Sequence, residues 1–169
     1  MTVTFYAQPY DIDATGFYFS DAETYKETIG KIVNRYGQPV EEFEIQFIDG
    51  DAIDAELFKA LSISQVTILL FMEKLDEWED WNKTDILIAV GECGYCFDLE
   101  SDDPNDLDID LYAGMDLNDL AHQFVAEGLF GDIPERLTSY LDYDAIARDL
   151  SHDYVETTIT GETCVYRMA

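Results

Sequence analysis

Carboxylates are the reactive groups this chain has in excess. From Asp98 to Asp116, eight of 19 residues are Asp or Glu, and none is Lys or Arg. Clustered acids suggest a calcium loop first. An EF-hand needs oxygen ligands at positions 1, 3 and 5, Gly at 6 for the sharp turn and Glu at 12 for bidentate binding. Counted from Asp106, Asp108 and Asp110 fall correctly, but positions 6 and 12 are Leu111 and Leu117. Counted from Asp98, position 12 is Ile109. Neither register makes a dedicated site.

The second candidate is the C-x-x-C pair Cys93 and Cys96. Such a pair serves redox exchange or supplies half of a zinc site. A reactive thiol needs cations or a helix N-terminus to stabilise its thiolate. Glu92, Asp98 and Glu100 flank the pair instead. A zinc site would have to recruit Cys164 with His122 or His152, at no recognised spacing. The two histidines belong to no visible triad, and no Gly-rich phosphate loop is present. Arg148, four residues after Asp144, reads as a surface ion pair. These observations predict no enzyme, no cofactor and no metal.

What remains is the charge itself. The chain has 169 residues, 37 of them acidic and 9 basic, for a net charge of −28. Hydrophobic residues make up 47%, so the chain can fold where disordered acidic chains cannot. The charge is also unevenly placed. The 52 residues from Thr84 to Glu135 contain fourteen acids and no Lys or Arg. Solubility or salt adaptation would sprinkle acids evenly, whereas here the acids have no cations beside them. Such a surface repels nucleic acid and anionic membrane and attracts basic surfaces. Duplex DNA carries one charge per 1.7 Å or so, and 28 charges then match about 48 Å of duplex, roughly 14 base pairs. Carboxylates displayed in this way could occupy the basic groove of a DNA-binding enzyme.

Elements that would carry these acids follow from periodicity. Val3 to Gln8, Gly16 to Ser20 and Phe43 to Ile48 read as strands. Ser20 is the expected cap of a helix, with Glu23 as its capping-box partner and Gly37 as its stop. Ile68, Phe71, Leu75 and Trp78 space a helix whose end is crowded by Glu73, Asp76, Glu77, Glu79 and Asp80. A second helix is expected from Lys83 to Val90. Leu107 to Tyr112 alternates as a strand, with Leu107, Ile109 and Leu111 expected toward the core. Asp116 should cap a helix with an apolar stripe of Leu117, Leu120, Ala121, Phe124 and Val125, ended by Gly128. Pro134 suits a short helix, Asp142 caps another, and a hairpin closes the chain. The expected fold class is α+β. Three small domains are expected: 1–60 with a three-stranded antiparallel sheet and helix, 61–102 helical, and 103–169 with a three-stranded sheet and helices.

The stretch "EGLFGDIPERLTSYLDYDAIARDL", Glu127 to Leu150, resembles the ArdA family of antirestriction proteins. The matching features are Gly128, Gly131 to Pro134, Leu137, Tyr140, Asp142, Tyr143 and the run Ala147 to Leu150 with Arg148 and Asp149. Weaker similarity runs through Glu41 to Asp51 and the helical middle. The resemblance implies an elongated homodimer that mimics bent B-form DNA and blocks type I restriction-modification enzymes. It also implies carriage on a mobile element and dimer contacts in the C-terminal domain. The acids expected to stand for phosphates are Glu73, Asp76, Glu77, Glu79, Asp80, Asp85, Glu92, Asp98, Glu100, Asp102, Asp103, Asp106, Asp108, Asp110, Asp116, Asp119, Glu127, Asp132 and Glu135. No direct nucleic-acid contact and no membrane contact is expected, and the odd cysteine count suggests a reducing, cytoplasmic setting. The competing class is an acidic protein that binds divalent metal or works through its C-x-x-C pair.

Overall fold

A computed structural model describes residues 2–168. Alternation along the first strand builds the first sheet. β1 (Thr4–Pro9) buries Phe5, Ala7 and Pro9 and leaves Thr4, Tyr6 and Gln8 half-buried on the other face. It lies between β2 (Phe17–Phe19) and β3 (Phe43–Asp49), antiparallel to both. Phe5 is the centre of an aromatic core. The rings of Phe19, Phe47, Phe58 and Phe71 surround it at centroid distances of 5.4, 5.6, 5.9 and 6.4 Å.

α1 (Ala22–Ile29) follows β2, and its cap differs from the expected one. Asp21, not Ser20, accepts the Thr24 amide at 2.7 Å. The Ser20 hydroxyl lies 3.3 Å from that of Thr4 instead. A carboxylate beside the helix N-terminus also meets its positive dipole end, which a hydroxyl does not exploit. The helix stops at Gly30, short of Gly37. Asn34 explains the early stop. Its side-chain oxygen accepts the amides of Tyr36 and Gln38, both at 3.0 Å, and folds the chain into a turn closed by a bridge between Val33 and Pro39.

Four helical segments come next. α2 (Ala52–Ala60) lies where no helix was expected. α3 (Ile68–Glu77) follows the expected apolar spacing. α4 (Asp80–Leu87) begins three residues before Lys83, because the Asn82 side chain accepts the Glu79 amide at 3.2 Å and caps the helix there. It runs on into one π-helical turn, Ile88–Glu92. A buried ion pair joins α2 to α4: Lys83 Nζ lies 2.7 Å from Asp54 Oδ1. Together with the Phe58–Phe71 ring contact, it stitches the chain across residue 60.

The second sheet has the order β4 (Ile109–Ala113), β6 (Glu162–Met168), β5 (Val155–Ile159), all antiparallel. Thr160 and Gly161, both at positive φ, turn the final hairpin. α5 (Leu117–Ala126), α6 (Glu135–Thr138) and α7 (Tyr143–Leu150) complete this part. Asp116 caps α5 and Asp142 caps α7, as expected. Leu120, Phe124, Tyr154 and Val165 form the core, with Tyr112, Leu117 and Leu150 packed against it. β4 therefore turns Tyr112 toward α5, and with it Asp110, two residues away. This corrects the expectation that Ile109 and Leu111 face that core, whereas Asp110 keeps 45% of its side chain in solvent. The large Tyr112 ring packs edge-on against Phe124 and Tyr154, and Arg167 opposite Asp110 pairs with that half-exposed acid.

The fold is thus α+β, with seven α-helices and two three-stranded antiparallel sheets among the described residues. The chain divides into two compact units, one up to Asp106 and one from Leu107 onward.

The anionic surface as candidate functional site

Helix ends and tight turns present most of the expected acids. In the first unit, Glu73, Asp76 and Glu77 lie on α3, and Glu79 and Asp80 lie at the start of α4. All five are exposed. Glu92, Asp98, Glu100, Asp103 and Asp106 are exposed as well, and Asp102 is half-buried. In the second unit Asp108, Asp116, Asp119, Glu127, Asp132 and Glu135 are exposed, and Asp110 is half-buried.

The loop from Asp98 to Asp106 shows how like charges are held together mainly by amides, with Lys74 the cation acting on Asp103. Asp102 accepts the Asp98 amide at 2.9 Å, Asp98 accepts the Glu100 amide at 2.9 Å, and Asp103 accepts the Asn105 amide at 2.9 Å. Short acidic side chains bond to nearby backbone in this way and so shape turns. The bonds go to the ionised form. The Asn105 backbone and side-chain N–H groups hold the Asp103 carboxyl below its usual range. Thr24 does the same for the capping Asp21. Cations reach few of these acids. Lys74 pairs with Glu77 at 2.9 Å, and Arg167 pairs with Asp110.

Asp85 departs from the expectation and is a correction. It is 8% exposed, because α4 packs Asn82, Lys83, Asp85, Ile86 and Leu87 into the first unit. Burial raises its pKa from 3.8 to about 6. A carboxylate inside the protein cannot stand for a phosphate on its surface. Sequence reasoning also left out acids that are equally exposed: Glu41, Glu42, Glu44, Asp49 and Asp51 in the first unit, and Asp144, Asp149, Asp153, Glu156 and Glu162 in the second. Their signal was the total charge, which the base-free window obscured.

The motif residues from Glu127 to Leu150 divide by what they do. Gly128 has φ +77 just past the end of α5, a conformation that favours glycine. Pro134 is the residue before α6, and Asp142 caps α7 through the Ala145 amide at 3.0 Å. The Tyr143 ring stacks on His122 and joins α7 to α5. Arg148 and Asp149 are exposed on α7. Leu137 and Tyr140 are exposed at 46% and 84%, and Leu129 and Phe130 are exposed as well. These are four large apolar side chains left in solvent within one short stretch of the second unit.

Among the described residues, no three His, Cys, Asp or Glu side chains gather as a metal would require. Cys93 and Cys96 are exposed free thiols at the end of the π-helical turn, and Cys164 is buried in β6. No described helix is long and apolar enough to cross a membrane.

Fold and surface together define a polyanionic α+β protein whose carboxylates are spread outward rather than gathered about a centre. The chain belongs to the ArdA family: the model for antirestriction protein (ArdA) matches residues 12–163 of the 169. Membership makes it an antirestriction protein, one that acts on restriction enzymes. No curated protein matches the chain.

Proposed function

We propose that this protein mimics B-form DNA and inhibits type I restriction-modification enzymes by occupying their DNA-binding groove. One observation carries the reading. Of the nineteen acids expected to imitate phosphates, sixteen are exposed and two are half-buried, in a chain of net charge −28. A rigid polyanionic surface gains affinity as DNA does, through counterion release and long-range steering. It works without catalysis or a cofactor. The exposed apolar side chains Leu129, Phe130, Leu137 and Tyr140 are the proposed contact of a homodimer, which would double the charge array. A protein of this kind acts in the cytoplasm, where restriction enzymes meet incoming DNA.

The test is competition with duplex DNA for a purified type I enzyme. Replacing Asp98, Glu100, Asp103, Asp106 and Asp108 together by amides should weaken competition steeply and flatten its salt dependence. Phosphate-like contacts each contribute about one unit of salt slope. A single exposed Asp→Asn change should cost little. Equal inhibition by the five-fold neutralised protein would end the mimicry reading.

A further inference from the structure

The first sheet buries one face and leaves the other open. Phe5 and Phe19 turn inward and meet rings carried by the helices: Phe19 lies 4.7 Å from Tyr25, and Phe5 lies 5.9 Å from Phe58 and 6.4 Å from Phe71. Side chains alternate along a strand, so Tyr6, Gln8, Tyr18, Glu44 and Gln46 share the opposite face. The register sets them side by side. Tyr6 faces Tyr18 on β2 and Gln46 on β3, and Gln8 faces Glu44. The rings of Tyr6 and Tyr18 are 4.6 Å apart. The Tyr6 ring lies across Gly16, where an added Cβ would meet it at 2.7 Å, so the glycine leaves room for the pair. The Gln46 side-chain amide donates to Glu44 at 2.9 Å. Tyr18 is 64% exposed and Glu44 is exposed, so the face stays open to solvent.

Paired tyrosines on an open sheet make a platform for stacking, and two kinds of group stack there. Nucleobases do so in grooves whose cations hold the phosphates. The surroundings here have the opposite sign. The 23 residues from Tyr36 to Phe58 contain seven acids and no Lys or Arg. Among them Glu41, Glu42, Glu44 and Asp49 are exposed on β3 or just before it. A phosphate is repelled there and a cation is attracted. A guanidinium suits the site better than an ammonium. It is planar and weakly hydrated, and it stacks on aromatic faces while keeping N–H donors at its edge for a carboxylate. Glu44 is the diagonal neighbour of Tyr6 across β1 and β3, at about 7–8 Å, a span that one guanidinium can bridge.

The geometry points to a docking site for an arginine of the partner enzyme, whose guanidinium stacks on Tyr18 and Tyr6 while its edge bonds to Glu44. The assignment takes the enzyme from the mimicry reading, whereas the stacking chemistry stands on the sheet alone. It adds a contact that a row of phosphates does not offer. Salt screens exposed charges, but a guanidinium covered by rings much less.

The experiment has two arms. The first is competition with duplex DNA for a purified type I enzyme. Tyr18→Phe keeps the ring and should compete as the wild type does. Tyr18→Leu keeps apolar area but no π face and should lose about tenfold. Tyr36→Leu, equally exposed at 65% but off the sheet, should lose at most about twofold. Glu44→Gln should lose about fivefold alone and little more when added to Tyr18→Leu, since both groups hold one guanidinium. Full competition by Tyr18→Leu, an equal loss in Tyr18→Phe, or losses that simply add overturn the site and leave mimicry standing. In the second arm the Tyr18 ring signals are followed by NMR while N-acetyl-arginine methylamide, N-acetyl-lysine methylamide or oligothymidylate is added to the whole chain. The arginine amide should shift them most. Equal shifts by the lysine amide, or larger ones by oligothymidylate, overturn the guanidinium as occupant. Failure of the wild type to compete with DNA, while its Tyr18 signals answer to the arginine amide, would overturn mimicry and leave the guanidinium site standing.

Discussion

Asp85→Asn should stabilise the protein, and the gain should grow with pH. Burial places the folded pKa near 6, against 3.8 for the ordinary carboxyl. Where the folded state binds a proton more tightly than the unfolded state, stability is greatest at low pH and falls as pH rises. Below the unfolded pKa both states are protonated and Asp85 costs nothing. Through the window from 3.8 to about 6, the unfolded state releases its proton first, and folding is penalised progressively. Above that window the penalty is complete. A shift of about two units at 1.36 kcal/mol each makes it about 3 kcal/mol. The amide is neutral at every pH and avoids this cost. The same linkage gives the variant an advantage of about 1.6 kcal/mol near pH 5 and about 3 kcal/mol near pH 7.5. Urea denaturation of both proteins at the two pH values reads the difference directly, and the repulsion among surface acids cancels in the comparison. DNA competition by the variant should match the wild type, because Asp85 is not on the surface. A gap that does not change with pH, or a variant less stable at pH 7.5, would refute the reasoning.

Three other perturbations follow from the geometry. Lys83→Met strands the buried Asp54 carboxylate and should cost about 3–5 kcal/mol in denaturation, whereas adding Asp54→Asn should recover much of it. Gly16→Ala would set a Cβ 2.1 Å from the Ala7 carbonyl oxygen and 2.7 Å from the Tyr6 ring. β1 and β2 would have to separate, so near-ultraviolet circular dichroism and melting temperature should both fall. Phe130→Asp with Leu137→Asp should leave each chain folded but convert dimer to monomer in sedimentation velocity, since both side chains are largely solvent-exposed within one chain. A monomeric wild type would remove that part of the proposal.

The legible parts of the fold were those where local chemistry and packing agree. α5 is the clearest case. An aspartate cap, an apolar stripe with helical spacing and a glycine stop all point to the same ten residues, and the helix covers them. β1, β3 and the closing hairpin were legible for the same reason, through period-two alternation and turn residues. Where two local signals compete, neighbours decide. Ser20 and Asp21 are both good caps, and the strand residue Thr4 engages the serine. α2 lacked the signal of a long stripe; its place is set by Phe58 in the aromatic core and by Asp54 meeting Lys83 from another helix. Long-range contacts of this kind leave no periodic trace. Asp85 was misplaced because α4 mixes polar and apolar residues with no stripe to mark its orientation, and its buried face takes in Asn82, Lys83 and Asp85 with Ile86 and Leu87. The anionic site was legible in the residues it draws on.

The turns from Asp98 to Asp106 give the loop a mould of its own. Each of three aspartates binds an amide at 2.9 Å within four residues of itself. Ions in solution weaken attraction across a Debye length, about 8 Å at physiological strength, but barely touch contacts this short. A jump in ionic strength would therefore eject a bound partner without melting the contour that had held it. On dilution the same contour would be ready at once, so capture and release could cycle without a refolding step.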